Sequence, residues 1–258
     1  MSLPQTVLLG AIAGFTIYLG LPIGRIKHLP EKLRTFLAMT SAGILVFLFF
    51  DILHQLTGPI ESSLAAKDYS EFLILLGIFV LGFGIGLGGL IAFEQRYLRP
   101  AIGGGQVLSP SRLALLIATG IGLHNFSEGL AIGQSAGGGE LAFAAVLIVG
   151  FGLHNATEGF GIVGPLMGKE LPSWGFLGLV GLIGGGPTFL GTMLGYYFVS
   201  TAMSVLFLSL AAGALIYIIG ELFHMNWRGP TKLAASWGFF SGFVFAFLTD
   251  LALVFSGL

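Results

Sequence analysis

Long apolar stretches separated by short polar clusters fill this chain from one end to the other. Eight of them are about twenty residues or longer, at 4–24, 33–56, 71–93, 111–134, 141–165, 173–199, 201–224 and 232–256. A helix needs about 20 mostly apolar residues to cross roughly 30 Å of hydrocarbon, so each stretch predicts one membrane-spanning helix. Continuous runs argue against a β-barrel, whose strands alternate lipid-facing and lumen-facing residues in short segments. The expected fold is an all-α integral membrane protein of eight transmembrane helices, one domain over residues 1–258, with no room for a soluble domain.

The boundaries carry their own signals. Ser109-Pro110-Ser111 reads as an N-cap for the fourth helix, because a serine oxygen can take a first-turn N–H while proline tolerates the first helical position. Trp227-Arg228-Gly229-Pro230 closes the seventh, with Trp227 suited to an interface. Only Ser200 and Thr201 mark the join between the sixth and seventh. Gly103-Gly104-Gly105 predicts a flexible third loop. The first stretch reads as a span rather than a cleavable signal, since no positive residue precedes it and it is too long.

Composition narrows the function. Charged residues make up 9% of the 258, against about 25% in soluble domains, and the mean hydropathy is +0.95. A net charge of −1 supplies no field to recruit nucleic acid, so the expected partner is the lipid bilayer. Cysteine is absent, which removes disulfides, thiolate metal sites and thiol nucleophiles together. The 42 glycines serve packing within the bundle or a homodimer face, and the sequence leaves both open.

Charge also orients the chain. Arg25, Lys27, Lys32, Arg34, Arg96, Arg99, Arg112, Lys169, Arg228 and Lys232 all fall on loops of one side, and Lys67 alone lies on the other. By the positive-inside rule the first side is cytoplasmic, which puts both termini outside the cell membrane.

Ionisable residues inside a span are costly and by default functional. The fourth span carries Gly122-Leu123-His124-Asn125-Phe126-Ser127-Glu128-Gly129, and the fifth carries Gly152-Leu153-His154-Asn155-Ala156-Thr157-Glu158-Gly159. The two share GLHNxxEG thirty residues apart, each near mid-span. His and Glu at i and i+4 lie on one helix face, so neighbouring helices can offer His124, Glu128, His154 and Glu158 to one centre. Two imidazoles and two carboxylates suit a divalent transition metal, and the two carboxylates neutralise its charge. Asn125 and Asn155, about 100° round their helices, can complete the shell or hold a second ion through their carbonyl oxygens. A single such pair would more simply be an interhelical hydrogen bond; the matched duplication favours a metal site. The motif glycines fit close helix packing, and Ser127 and Thr157 are expected to bond backbone carbonyls.

HNFSEGLAIG and HNATEG resemble the signature of the ZIP (Zrt-, Irt-like) family of divalent metal transporters, prokaryotic type. Eight spans with both ends outside are similar to that family's architecture over the whole chain. The resemblance implies metal uptake toward the cytoplasm, with His124, Asn125, Glu128, His154, Asn155 and Glu158 on its metal-binding positions. Zn²⁺ or another divalent transition ion would be bound substrate, not cofactor. Many bacterial members place a Glu before the proline of the sixth span; here Gly186 precedes Pro187, so a second ion would lack that carboxylate. The third loop also lacks the histidines found in many eukaryotic members.

The other intramembrane polar residues sort by depth. Asp51, His54 and Asp250 fall toward the outer ends of their spans, while Glu221, His224 and the loop residue His28 lie toward the cytoplasm. They read as staging points at the two mouths of the central site, or as end-of-helix groups snorkelling to an interface. GALIYIIGELFH on the seventh span also resembles the family, which ranks Glu221 above its neighbours. Two rival functions are a membrane-embedded zinc metallohydrolase and a proton or cation pore without metal selectivity. HNxxE provides no free Glu beside two His ligands to act as general base, and a pore would not need duplicated imidazoles. The chain is therefore expected not to be an enzyme.

Overall fold

In hydrocarbon every backbone N–H and C=O must be satisfied within its own segment, so an apolar run of this length resolves into helix. The computed structural model describes residues 2–98, 109–137, 155–198, 200–227 and 229–255, and within them it is all-α. Helix α1 spans Leu3–Phe15 and continues through two 3₁₀ turns, Thr16–Leu19 and Leu21–Arg25. Then follow α2 (Glu31–Ala65), α3 (Tyr69–Phe93), α4 (Pro110–Gly137), α5 (155–163), α6 (Trp174–Tyr197), α7 (Thr201–Asn226) and α8 (Lys232–Phe255). Seven helical spans among the described residues are long and apolar enough to cross a membrane, which marks a multi-pass membrane protein. The expected fifth span is described only from residue 155 onward, and the Gly103-Gly104-Gly105 loop lies outside the described residues.

Side-chain caps open three of the helices, that of α4 where the sequence placed it. The Ser109 hydroxyl accepts the Arg112 N–H at 3.4 Å, with Pro110 opening α4. Ser200 accepts the Met203 N–H at 3.3 Å, which separates α7 from the end of α6. Asp68 accepts the Glu71 N–H at 3.0 Å and starts α3 after a tight turn from α2. Helix α7 ends at Asn226, and Trp227 folds back to stack on Phe223 at 5.1 Å. One boundary differs. α2 runs to Ala65, nine residues past its expected end. Its 35 residues measure about 52 Å at 1.5 Å per residue, longer than the hydrocarbon, so α2 tilts or projects beyond it.

The helices associate in two sets. α1 and α4 pack on α6, while α2 packs on α8, α3 and α7, and α3 also packs on α7; α4 meets α7 to join the sets. Lipid tails are as apolar as leucine, so there is little hydrophobic drive between helices, and contact must come from close approach. Glycines make that approach. On the α4–α6 seam Gly129 faces the Thr188 carbonyl and Gly191 faces the Phe126 carbonyl. Gly43 and Gly242 do the same between α2 and α8, and Gly86 and Gly213 between α3 and α7. α5 comes against the end of α1 where Gly159 meets Ile17 and Gly20. Many of the glycines are thus used inside the bundle.

Candidate metal centre

Helix α4 is the most enclosed of the described spans. It is sandwiched by α6, α7 and α1, and the polar side of its GLHNxxEG segment turns inward. His124, Asn125 and Asn155 have no exposed surface, Glu128 is 6% exposed and Glu158 1%. Two carboxylates held that far from water require compensating partners, because an isolated buried charge costs several kcal/mol.

Helical spacing supplies the first partnership. His124 Nε2 and Glu128 Oε1 share a hydrogen bond across one turn at 3.1 Å, which aligns both on one face of α4 as the i, i+4 spacing requires. The second partnership crosses between the two motif copies. Asn125 donates from Nδ2 to Glu158 Oε2 at 2.8 Å and also to the Gly184 carbonyl of α6 at 3.0 Å. Asn125 thus ties α4, α5 and α6 together. Asn155 donates to the Ala13 carbonyl of α1 at 2.6 Å. In this orientation the Oδ1 atoms of Asn125 and Asn155 are buried and accept no hydrogen bond among the described residues. Neutral carbonyl oxygens of that kind, beside an imidazole and two carboxylates, are the donor set a divalent transition ion takes.

The residues are gathered but not closed on a centre. Among the described residues no three His, Asp or Glu side chains converge into a metal-holding group. His154, the fourth expected ligand, lies outside the described residues. Asp51 lies on α2, in the other helix set. Asp51 is partly buried and accepts a hydrogen bond from Gln55 Nε2 at 2.7 Å. His54 and His224 are exposed, Glu221 and Asp250 partly buried near the ends of α7 and α8, and His28 is exposed in the loop after α1.

Two site features differ from the sequence reading. Ser127 was expected to bond a backbone carbonyl; its buried hydroxyl has no hydrogen-bond partner among the described residues. The hydroxyls of Thr119, Thr192 and Ser209 do turn back on their own helices, onto Leu115, Thr188 and Val205, and that of Ser127 does not. Thr188 was not anticipated at all. It is fully buried on the α6 face against Gly14 and Gly129, and its hydroxyl also lacks a partner. The available signal was Pro187, whose missing N–H and ring break the regular ladder of α6 next to the Gly184 carbonyl that Asn125 uses. Gly186 is buried and brings no ligand of its own.

The Asn125 clamp carries an expectation. Asn125→Leu removes the hydrogen bonds to Glu158 and Gly184 at once, leaving a buried carboxylate short of a donor. A loss of about 1–3 kcal/mol in stability is expected, read as a lower thermal midpoint of the purified protein. Asn125→Asp should cost more, since it places a second negative charge against Glu158. No known family model and no curated protein sequence matches the chain, so the likeness to a transporter family rests on the motif residues quoted above.

Proposed function

We propose that the protein carries divalent transition-metal ions across the membrane toward the cytoplasm, through an intramembrane site shared by α4 and α5. The observation that carries this reading is the pairing of the two motif copies: Asn125 of the first holds Glu158 of the second at 2.8 Å, beside His124 and Glu128. His154 and Asn155 complete the proposed ligand set. The ion is substrate, and release from such a site requires that its ligands can be offered other partners. The Asn125–Glu158 and His124–Glu128 hydrogen bonds are partners of that kind. Asp51, His54 and Asp250 on one side and Glu221 and His224 on the other would stage the ion. The cell membrane, with both termini outside, is the location that the Lys and Arg distribution supports.

Purified protein in proteoliposomes should take up Zn²⁺, with Fe²⁺, Mn²⁺, Co²⁺ or Cd²⁺ competing, and should not take up Mg²⁺ or Ca²⁺. Imidazole favours the transition ions, whereas Mg²⁺ and Ca²⁺ prefer all-oxygen shells. Mg²⁺ uptake without Zn²⁺ competition would refute the reading.

Metal binding needs neutral imidazoles and ionised carboxylates, so it should release protons. Affinity is expected to fall as pH drops from about 7 toward 5, because protons compete for the same atoms. Calorimetric titrations in two buffers of different ionisation enthalpy measure the protons released per ion. An affinity flat over that range contradicts the ligand set.

A further inference from the structure

Five cations crowd the end of α1, the start of α2 and the loop before α6: Arg25, Lys27, Lys32, Arg34 and Lys169. Among the described residues none of them forms an ion pair with a carboxylate. Arg25 donates to the Pro172 carbonyl and lies 4.7 Å over the Trp174 ring. Glu170, next to Lys169, is already engaged, accepting from the Ser111 backbone N–H at 3.2 Å and from its hydroxyl.

Between residues 26–28 and 168–171 lies a cavity of about 190 Å³, lined by Ile26, Lys27, His28, Gly168, Lys169, Leu171 and the Glu170 that Ser111 engages. Its walls are tied together, since the Gly168 N–H donates to the Ile26 carbonyl at 3.2 Å. His28 and Gly168 turn the two walls with left-handed φ of 57° and 68°. The Lys169 ammonium reaches down to the buried Asn226, 3.4 Å from its Oδ1. Partial withdrawal from water, and then repulsion from Arg34, hold the Lys169 pKa below the ordinary lysine value. A bound anion would offset both effects. Ile26 and Leu171 of the lining are 44% and 48% exposed, and Ile23 and Trp174, three residues from them along the chain, are 38% and 64% exposed. Tryptophan favours the headgroup level of a bilayer.

We propose that this cavity binds the phosphate of an anionic phospholipid, with Lys27 and Lys169 on the headgroup and the acyl chains along Ile26, Leu171 and Trp174. A free anion would satisfy the cations but would leave the apolar rim unused. Basic pockets between spans on the cytoplasmic side are suited to anionic headgroups, and the loops concerned are those the charge bias places there.

Native mass spectrometry of the full-length protein in detergent, with phosphatidylglycerol or phosphatidylcholine at equal concentration, tests this. One phosphatidylglycerol should be retained in preference to phosphatidylcholine, and an equal concentration of inorganic phosphate should not displace it. Lys27→Gln combined with Lys169→Gln should weaken retention about thirtyfold, two near-surface charges being removed. Lys27→Arg with Lys169→Arg should retain it, and phosphatidylcholine retention should be the same in all three proteins. Phosphatidylglycerol should also raise the thermal midpoint of the unmodified protein above that in phosphatidylcholine, a readout that needs no variant. Equal retention of the two lipids, unchanged retention in the glutamine variant, or displacement by inorganic phosphate would each overturn the assignment.

Discussion

Replacing Glu128 or Glu158 by alanine is expected to abolish metal uptake. A divalent ion between two carboxylates and neutral donors makes a neutral complex, which the enclosed interior around α4 tolerates. With one carboxylate gone the complex carries +1 in a region where Glu158 is 1% and Glu128 6% exposed. Breaking a buried charge pair costs about 3–5 kcal/mol, more than a hundredfold in affinity. Glu158→Gln separates charge from shape: it keeps an oxygen for Asn125 and should still fold, yet it should bind metal as poorly as the alanine variant. His124→Ala and His154→Ala remove neutral ligands that water can partly replace, so uptake should fall less and metal preference should shift. Glu221→Ala and Asp250→Ala should lower rate more than equilibrium binding. The measurements are uptake and equilibrium binding on purified, folded variants. If Glu221→Ala and Asp250→Ala abolish binding while Glu128→Ala and Glu158→Ala bind normally, the site lies elsewhere in the protein.

The second large effect concerns the fold. A Cβ at Gly191 would fall against the backbone of α4, within 3.0 Å of the Leu130 nitrogen and 3.1 Å of Gly129 Cα, as well as the Phe126 carbonyl. No side chain can rotate away to make room, so α4 and α6 must separate. Gly191→Leu is therefore expected to destabilise the protein by about 3 kcal/mol or more, at or above the upper end of overpacking. Loss of the α4–α6 seam would also take away the Gly184 carbonyl from Asn125, so metal binding should fall with stability. Gly178→Ala on the same helix is the control. Nothing lies within 4 Å of its Cβ position, and alanine is the better helix former by about 1 kcal/mol, so the thermal midpoint should hold or rise. Thermal unfolding in detergent, followed by intrinsic tryptophan fluorescence and by monodispersity, distinguishes the two. A Gly191→Leu protein as stable as the parent would refute the close α4–α6 packing.

The helices were legible because a bilayer leaves a long apolar run one way to satisfy its backbone, and because Ser109 and Ser200 mark starts by capping chemistry that acts within four residues. The His124–Glu128 pair was legible for the same reason: an i, i+4 spacing fixes two side chains on one face whatever surrounds them. The extension of α2 to Ala65 was hidden, since polar Gln55, Glu61 and Ser62 end a hydropathy run without ending a helix. Partnerships between helices were hidden more deeply. Spans that are apolar on most faces carry no stripe to say which neighbour each face meets, and glycines open a close approach without naming the backbone that will use it. Only the packed bundle sets Asn125 between Glu158 and the Gly184 carbonyl and leaves Thr188 buried on the α6 face against Gly14 and Gly129. Those contacts join residues far apart in the chain, and their geometry follows from how closely glycine lets one backbone approach another.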